Sequence, residues 1–493
     1  MLAILANRTY RHLFAAQVIA LAGTGLMTVA LALLAYDLAG ADAGAVLGTA
    51  LAIKMIAYVS IAPVVGDFAD RLPRRAFLVT LDIVRASVAL ALPFVDQVWQ
   101  IYVLIALLQS ASAAFTPTFQ ATIPDILTKE EDYTRALSLS RLAYDLENLV
   151  SPTLAALLIG LFGFHWLFGG TVIGFLASAA VVLSVILPRV SGTEGAKPKR
   201  RLGKGIRIYL ATPRLRGLLA LNLAVATGGA MVIVNTVVLV RGILGLTDSD
   251  VALAMAAFGS GSMLAALILP RLLDRIGDRA VMLPAAAAMA VLLLGFAVIT
   301  SRIATSGLWL ILLVAWFLLG TCYSAAQVPT GRLLRRSAHA QDRPSLFAAQ
   351  FALSHACWLV TYPLAGWLGT GAGMPLTLLT LGLVAALGTA LGFVLWPAAD
   401  PETITHEHPE LGSDHPHLID GGRIHSHAFV IDDLRTGRFQ RDDEGAGRGP
   451  TVDLCGDRRL SRRLCIHVRL GCAADDPTPG NRIRRRACAD AGA

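Results

Sequence analysis

Gly66-Asp67-Phe68-Ala69-Asp70-Arg71-Leu72-Pro73-Arg74-Arg75 closes one apolar stretch of this 493-residue chain and opens the next, and Pro270-Arg271-Leu272-Leu273-Asp274-Arg275-Ile276-Gly277-Asp278-Arg279 does the same in the second half. Both segments put an Asp-Arg pair where a helix ends, then a turn residue, then a basic residue that opens the next helix. A carboxylate there can accept from the free N–H groups of a neighbouring helix start, where the macrodipole favours negative charge. Such a contact latches one state and must break in another. A single copy would serve equally well as a positively charged loop; a second copy in the corresponding place points to paired halves. The latch set is Gly66, Asp70, Arg71, Arg74 and Arg75, repeated as Asp274, Arg275 and Arg279.

Outward from these loops the chain is almost unbroken apolar sequence from Leu13 to Trp396. A membrane helix needs roughly 20 apolar residues. Twelve stretches qualify: 13–38, 43–66, 76–95, 98–122, 137–161, 166–188, 216–240, 250–270, 281–300, 307–330, 346–369 and 374–396. With 55% hydrophobic and 15% charged residues, a soluble protein of this length would lack the polar surface to cover its core. The first run is too long for a removable signal peptide and lacks a small-residue cleavage site, so it is expected to stay as the first helix.

Lys and Arg fall on one side of the bundle: Arg71, Arg74, Arg75, Lys129, Arg135, a cluster from Arg189 to Arg216, then Arg271, Arg275, Arg279, Arg332, Arg335, Arg336 and Arg343. Only Arg241 and Arg302 fall in loops on the other side. The positive-inside rule makes the first side cytoplasmic and puts both termini there. The pI of 9.4 therefore implies no nucleic-acid partner; the loops and an Arg-rich tail account for it. The expected surroundings are the lipid bilayer of a bacterial inner (plasma) membrane. No GxxxxGK[ST] loop is present, so ATP is not the energy source and no enzymatic activity is expected.

The chain divides into a six-helix half (1–188), a basic cytoplasmic linker (189–215), a second six-helix half (216–396), a His-rich tail (397–434) and an Arg-rich extension (435–493). Parallel halves packed around a central site are a transporter architecture. The Gly-x-x-x-Asp-Arg-x-x-Arg-Arg loop, with its weaker echo, resembles the signature of the major facilitator superfamily over residues 1–396. The resemblance implies an all-α membrane protein of twelve helices in two pseudo-repeats, working by alternating access and often driven by protons. Pro73 stands where the family usually has Gly, and Pro270 where the echo would; the Asp and Arg are intact.

Ionisable residues inside spans cost several kcal/mol unless paired or hydrated. Lys54 lies mid-helix in the second span. Asp145 and Glu147 lie in the fifth, and His355 in the eleventh. Lys54 with one of the two acids forms either a proton and substrate site or a permanent ion pair. Asp145 and Glu147 are two residues apart on a helix, so one of them is expected to line the cavity. His355 fits a proton carrier or a histidine that only hydrogen-bonds across helices. Asp82 and Arg85, three apart in the third span, read as a structural pair bracing Asp70 or Arg71.

The tail carries three His-x-His pairs: His406 and His408, His415 and His417, His425 and His427. Neutral imidazole suits nickel, cobalt, copper and zinc. The Pro-, Gly- and Asp-rich surroundings cannot bury a core, so the tail is expected to be disordered. No Cys is interleaved, which argues against a closed zinc site. Residues 435–493 show neither helix nor strand period and read as an unevolved extension, or as a basic lipid- or nucleic-acid-binding tail.

The tail, Lys54 in ALAIKMIAYV and the segment SLFAAQFALSHACWLVTYPLAGWLG are similar to the bacterial nickel-resistance exporters of this superfamily. That resemblance implies a monomeric, proton-coupled efflux of Ni²⁺ or Co²⁺, the ion being cargo or tail-bound and no cofactor permanently held. The same transmembrane part also fits an exporter of drugs or siderophores. A membrane metal sensor is the alternative of another class, although it would need neither duplicated latches nor intramembrane charges.

Overall fold

The computed structural model describes residues 2–68, 73–127, 157–185, 201–273, 275–302, 305–339 and 342–398, isolated positions between 129 and 155 together with 187, and four short strands in the tail. Residues 1–400 form one compact unit and 401–493 a second.

The described residues of the first unit form helices joined by short turns. Its first half contains α1 (Arg8–Ala39), α2 (Ala43–Phe68), α3 (Arg74–Ala91), α4 (Val98–Ile126), α5, whose described positions between 132 and 162 are helical, and α6 (His165–Leu183). Then come α7 (Arg201–Ala211), α8 (Pro213–Val237) with a π-helical continuation Val238–Ile243, α9 (Asp248–Leu273), α10 (Asp278–Arg302), α11 (Thr305–Gln327), α12 (Thr330–Arg336), α13 (Arg343–Gly371) and α14 (Met374–Leu395). Among the described residues nine stretches are long and apolar enough to cross a membrane, and the first, Arg8–Ala62, runs through both α1 and α2. Outward-facing side chains such as Ile173, Leu310, Phe393 and Val394 are more than half exposed. In water such an apolar surface would drive association; in lipid it is the solvated face.

Small residues let the helices approach, as expected where lipid supplies no hydrophobic drive between them. In the first half α1 meets α6 at Gly23 and Gly174, and Thr171 Oγ1 donates to the Gly23 carbonyl at 2.8 Å. The corresponding pair in the second half, α8 and α14, meets at Gly388, where a methyl would lie 2.7 Å from the Ala220 carbonyl oxygen. The repeat extends to the helix ends. Arg75, second residue of α3, donates to the Leu183 carbonyl that ends α6. Arg279, second residue of α10, donates to the Trp396 (2.9 Å) and Phe393 (3.3 Å) carbonyls at the end of α14. A guanidinium there satisfies carbonyls left open by the helix and complements its negative end.

Two helices were not foreseen from composition. The linker, expected as a plain basic segment, contains α7, which packs along the start of α13: Lys204 pairs with Asp342 at 2.7 Å, and the Tyr209 hydroxyl donates to Gln350 Oε1. Tyr209 is fully buried, and that burial pushes its phenol well above the ordinary range. The short α12 follows α11 and carries Arg332 and Arg336.

The tail, expected to hold no regular element, contains two short antiparallel ladders. Thr403–Glu407 (β1) pairs with Ile424–Ala428 (β2), and Val452–Asp453 (β3) with His467–Val468 (β4). The three consecutive β-branched residues of Thr-Ile-Thr-His-Glu favour this extended pairing.

Candidate functional site: a charged cavity beside an aromatic wall

The four-residue spacing from Lys54 to Tyr58 puts both on one face of α2, and the spacing 351, 355, 358, 362 puts Phe351, His355, Trp358 and Tyr362 on one face of α13. These faces meet. Tyr58 stacks on His355 with ring centroids 5.4 Å apart and an interplanar angle of 5°, and lies 5.7 Å from Phe351. The Lys54 ammonium sits 5.9 Å from the Tyr58 ring centroid, near the limit of a cation–π contact. From the other side comes Glu147 of α5, which interacts electrostatically with Lys54. Gly25 of α1 makes room for Ser151, one turn beyond Glu147 in α5: a methyl there would overlap Ser151 and stand in ordinary contact, 3.4 Å, with Glu147 Cγ.

Lys54 and Glu147 are enclosed deep in the bundle, with only partial solvent accessibility. An isolated charge at the middle of a membrane helix costs about 3 kcal/mol on insertion scales; the opposite charge within electrostatic reach offsets only part of that, burial being the larger effect at both groups. His355 Nδ1 lies 2.7 Å from the carbonyl of Phe351 on its own helix, and its ring contacts α2 by stacking. The aromatic wall continues through Trp358 and Tyr362 (4.9 Å), Tyr323 of α11 against Trp358 (6.4 Å), and Phe258 of α9 against Tyr323 (5.5 Å). Gly229 of α8 leaves the space into which the Trp358 ring fits.

Of the residues expected from sequence, Lys54, Glu147 and His355 therefore converge. Asp145 lies outside the described residues, as do Asp70, Arg71 and Asp274. Gly66 lies within α2, Arg74 is buried at the start of α3, and Arg275 is exposed in the turn before α10. Arg75 and Arg279 clasp their own halves. The buried carboxylate of the second loop is Asp278, which the latch set omitted. It opens α10 and is held by Arg332 at 2.7 Å and Arg336 at 3.7 Å. Asp82 and Arg85 do pair; Asp82 also accepts from Ser178 at 2.7 Å, and Arg85 lies between the Phe115 and Phe175 rings, at 4.2 and 4.6 Å. Their side chains are buried inside the first half. His406, His425 and His427 occupy strand positions, whereas His408, His415 and His417 lie outside the described residues.

At the end of the bundle away from the basic loops, the halves touch directly. A methyl on Gly48 of α2 would stand 2.6 Å from the Tyr362 carbonyl oxygen and 3.2 Å from the Gly366 Cα of α13. Trp367 Nε1 donates to Thr49 Oγ1 at 3.1 Å. Only glycine permits so close an approach of α2 to α13 at that end.

The MFS-type transporter YfiS of Bacillus subtilis is 25% identical over 344 residues, 67% of this chain and 81% of that protein. Macrolide efflux protein A of Enterococcus faecalis is 25% identical over 154 residues, which span 29% of this chain and 47% of that protein. Among solved structures, a bacterial homologue of the human lysosomal transporter Spinster superposes with a TM-score of 0.60 at 13% identity, covering 78% of this chain and 96% of that one. The nucleoside transporter NupG superposes with a TM-score of 0.57 at 14% identity, covering 78% and 98%. At these identities the structural likeness carries the fold alone. The Major Facilitator Superfamily profile matches residues 13–238 and again 218–436, once per half. The chain belongs to the major facilitator superfamily and is a multi-pass membrane transporter, not an enzyme.

Proposed function

We propose that this protein is a proton-coupled exporter of a lipophilic organic molecule, resident in a bacterial plasma membrane with its basic loops and both termini in the cytoplasm. The observation that carries this reading is that two buried opposite charges, Lys54 and Glu147, lie within electrostatic reach of each other, with Lys54 beside the wall that begins at Tyr58, Phe351 and His355 and continues through Trp358. An aromatic wall offers dispersion and stacking to an organic body. The charge pair offers one ammonium and one carboxylate to its polar groups. A proton on Glu147 leaves the Lys54 charge without its counter-ion, so proton and cargo act on the same pair; competition of that kind couples the two fluxes. With the basic loops cytoplasmic, the Gly48–Gly366 contact lies at the outer end, where the two halves touch.

A second reading, export of Ni²⁺ or Co²⁺, is favoured by the tail. The β1–β2 register sets His406 opposite His425 and Ile404 opposite His427. Positions 406, 425 and 427 thus share one face of the ladder, with directly opposed positions about 5 Å apart. The cavity supports this reading less: among the described residues no three His, Cys, Asp or Glu are grouped to hold a metal ion. Likeness to macrolide efflux proteins also favours the organic cargo.

Accumulation of a macrolide and of radioactive nickel, measured in cells with and without the protein at verified membrane levels, separates the readings. Lower macrolide content with unchanged nickel supports the organic cargo. Lower nickel with unchanged macrolide overturns it in favour of the metal.

A further inference from the structure

Arg241 stands at the outer end of α8, in a membrane protein whose other basic loop residues lie almost entirely at the opposite end. It faces two carboxylates. Asp37, at the end of α1, belongs to the first half and lies 3.5 Å away; Asp248, opening α9, belongs to the second half, as Arg241 itself does, and is hydrogen-bonded to the guanidinium. The Tyr36 ring of the first half lies 4.9 Å from the guanidinium carbon, and Gly242 packs beside the same ring. Arg241 sits within the π-helical turn Val238–Ile243, where the extra residue per turn re-aims side chains relative to a regular helix. The start of α9 is fixed by its own cap, Asp250 accepting from Thr247 N at 3.0 Å and from the Thr247 hydroxyl.

One of the two acids must move away from Arg241 when the halves part at this end, and the other must stay. We propose that Asp37, Arg241 and Asp248 form an outer clasp that works by partner retention. Asp37 and Tyr36 hold Arg241 while the outer end is closed, and Asp248 keeps the guanidinium neutralised after Asp37 and Tyr36 have left. The opening step then breaks one ion pair without leaving a bare cation at the rim of a low-dielectric cavity. The two acids have opposite effects on the equilibrium, because Asp37 stabilises only the closed state whereas Asp248 contributes more to the open one. The direction of opening rests on the orientation proposed above; the clasp itself does not depend on the cargo.

The test reads conformation instead of transport. Spin labels on cysteines placed at Ala41 and Ala372, exposed outer-end positions of the two halves, report their separation in the full-length protein reconstituted in lipid, with the native cysteines replaced by serine. Asp37→Asn is expected to raise the population of the long distance about threefold, the scale of a partly exposed ion pair. Asp248→Asn is expected to lower it by a similar factor. The double variant Asp37→Arg with Arg241→Asp is expected not to restore the wild-type distribution, because the new carboxylate would face Asp248. Shifts of the two single variants in the same direction, no shift in either, or full restoration by the double variant would overturn the clasp. Because no substrate is present, the result is independent of whether the cargo is organic or metallic.

Discussion

The two halves keep the same scaffold and divide the chemistry between them. Arg75 and Arg279 make the same clasp on the ends of α6 and α14, and the α1–α6 and α8–α14 pairs approach through glycines. One residue earlier the halves differ in sign: α3 opens on Arg74, α10 on Asp278, which α12 supplies with two arginines. The cavity differs as well. The first half contributes the charges Lys54 and Glu147, while the second contributes His355 and most of the aromatic wall. Duplication thus preserved the contacts that hold each half together and left the cavity face free to diverge.

Glu147→Gln should break this division most severely. It keeps the packing against Gly25 but leaves Lys54 without its counter-charge, and the initial rate of efflux should fall on the order of 100-fold at equal membrane levels. A rate near wild type would mean that the working charge lies elsewhere. Asp278→Ala should come next, costing about 2 kcal/mol through the loss of a buried partner for two arginines. Thermal unfolding in detergent measures this, and an unchanged midpoint would show that Arg332 and Arg336 are adequately solvated without it. Trp358→Ala should raise KM for a lipophilic cargo about tenfold with little change in maximal rate, since it removes wall and not charge; loss of rate at constant KM would assign Trp358 to the conformational cycle. The smallest effect tests the symmetry. Arg75→Ala and Arg279→Ala should each cost about 0.5–1 kcal/mol, and a large inequality between them would show that the two clasps are not equivalent.

Much of the scaffold was legible because membrane spans are written as long apolar runs, and the repeated loop announced two halves. The convergence of Lys54, Glu147 and His355 was readable only as three costly residues in three spans; which of them meet depends on helix rotation, and a hydropathy pattern does not encode it. The aromatic face of α13 carried a signal that could have been used, the spacing 351, 355, 358, 362. Asp278 was overlooked because its partners come from α12, far along the chain, and a short amphipathic helix leaves little trace between two spans. The contact of Arg241 with Asp37 leaves no sequence cue for a similar reason: an arginine on the sparsely charged side reads as topology, and nothing in the chain links it to Asp37. The helix in the linker was masked by its basic composition.

Coupled export requires a proton and a cargo to act on the same two charges, Lys54 and Glu147. Purified protein in proteoliposomes carrying an internal pH-sensitive dye tests this most directly, with a macrolide gradient imposed and no proton gradient at the start. Macrolide movement should drive proton movement in the opposite direction, and Glu147→Gln should abolish the pH change. Macrolide flux with no accompanying pH change in the wild-type protein would contradict it.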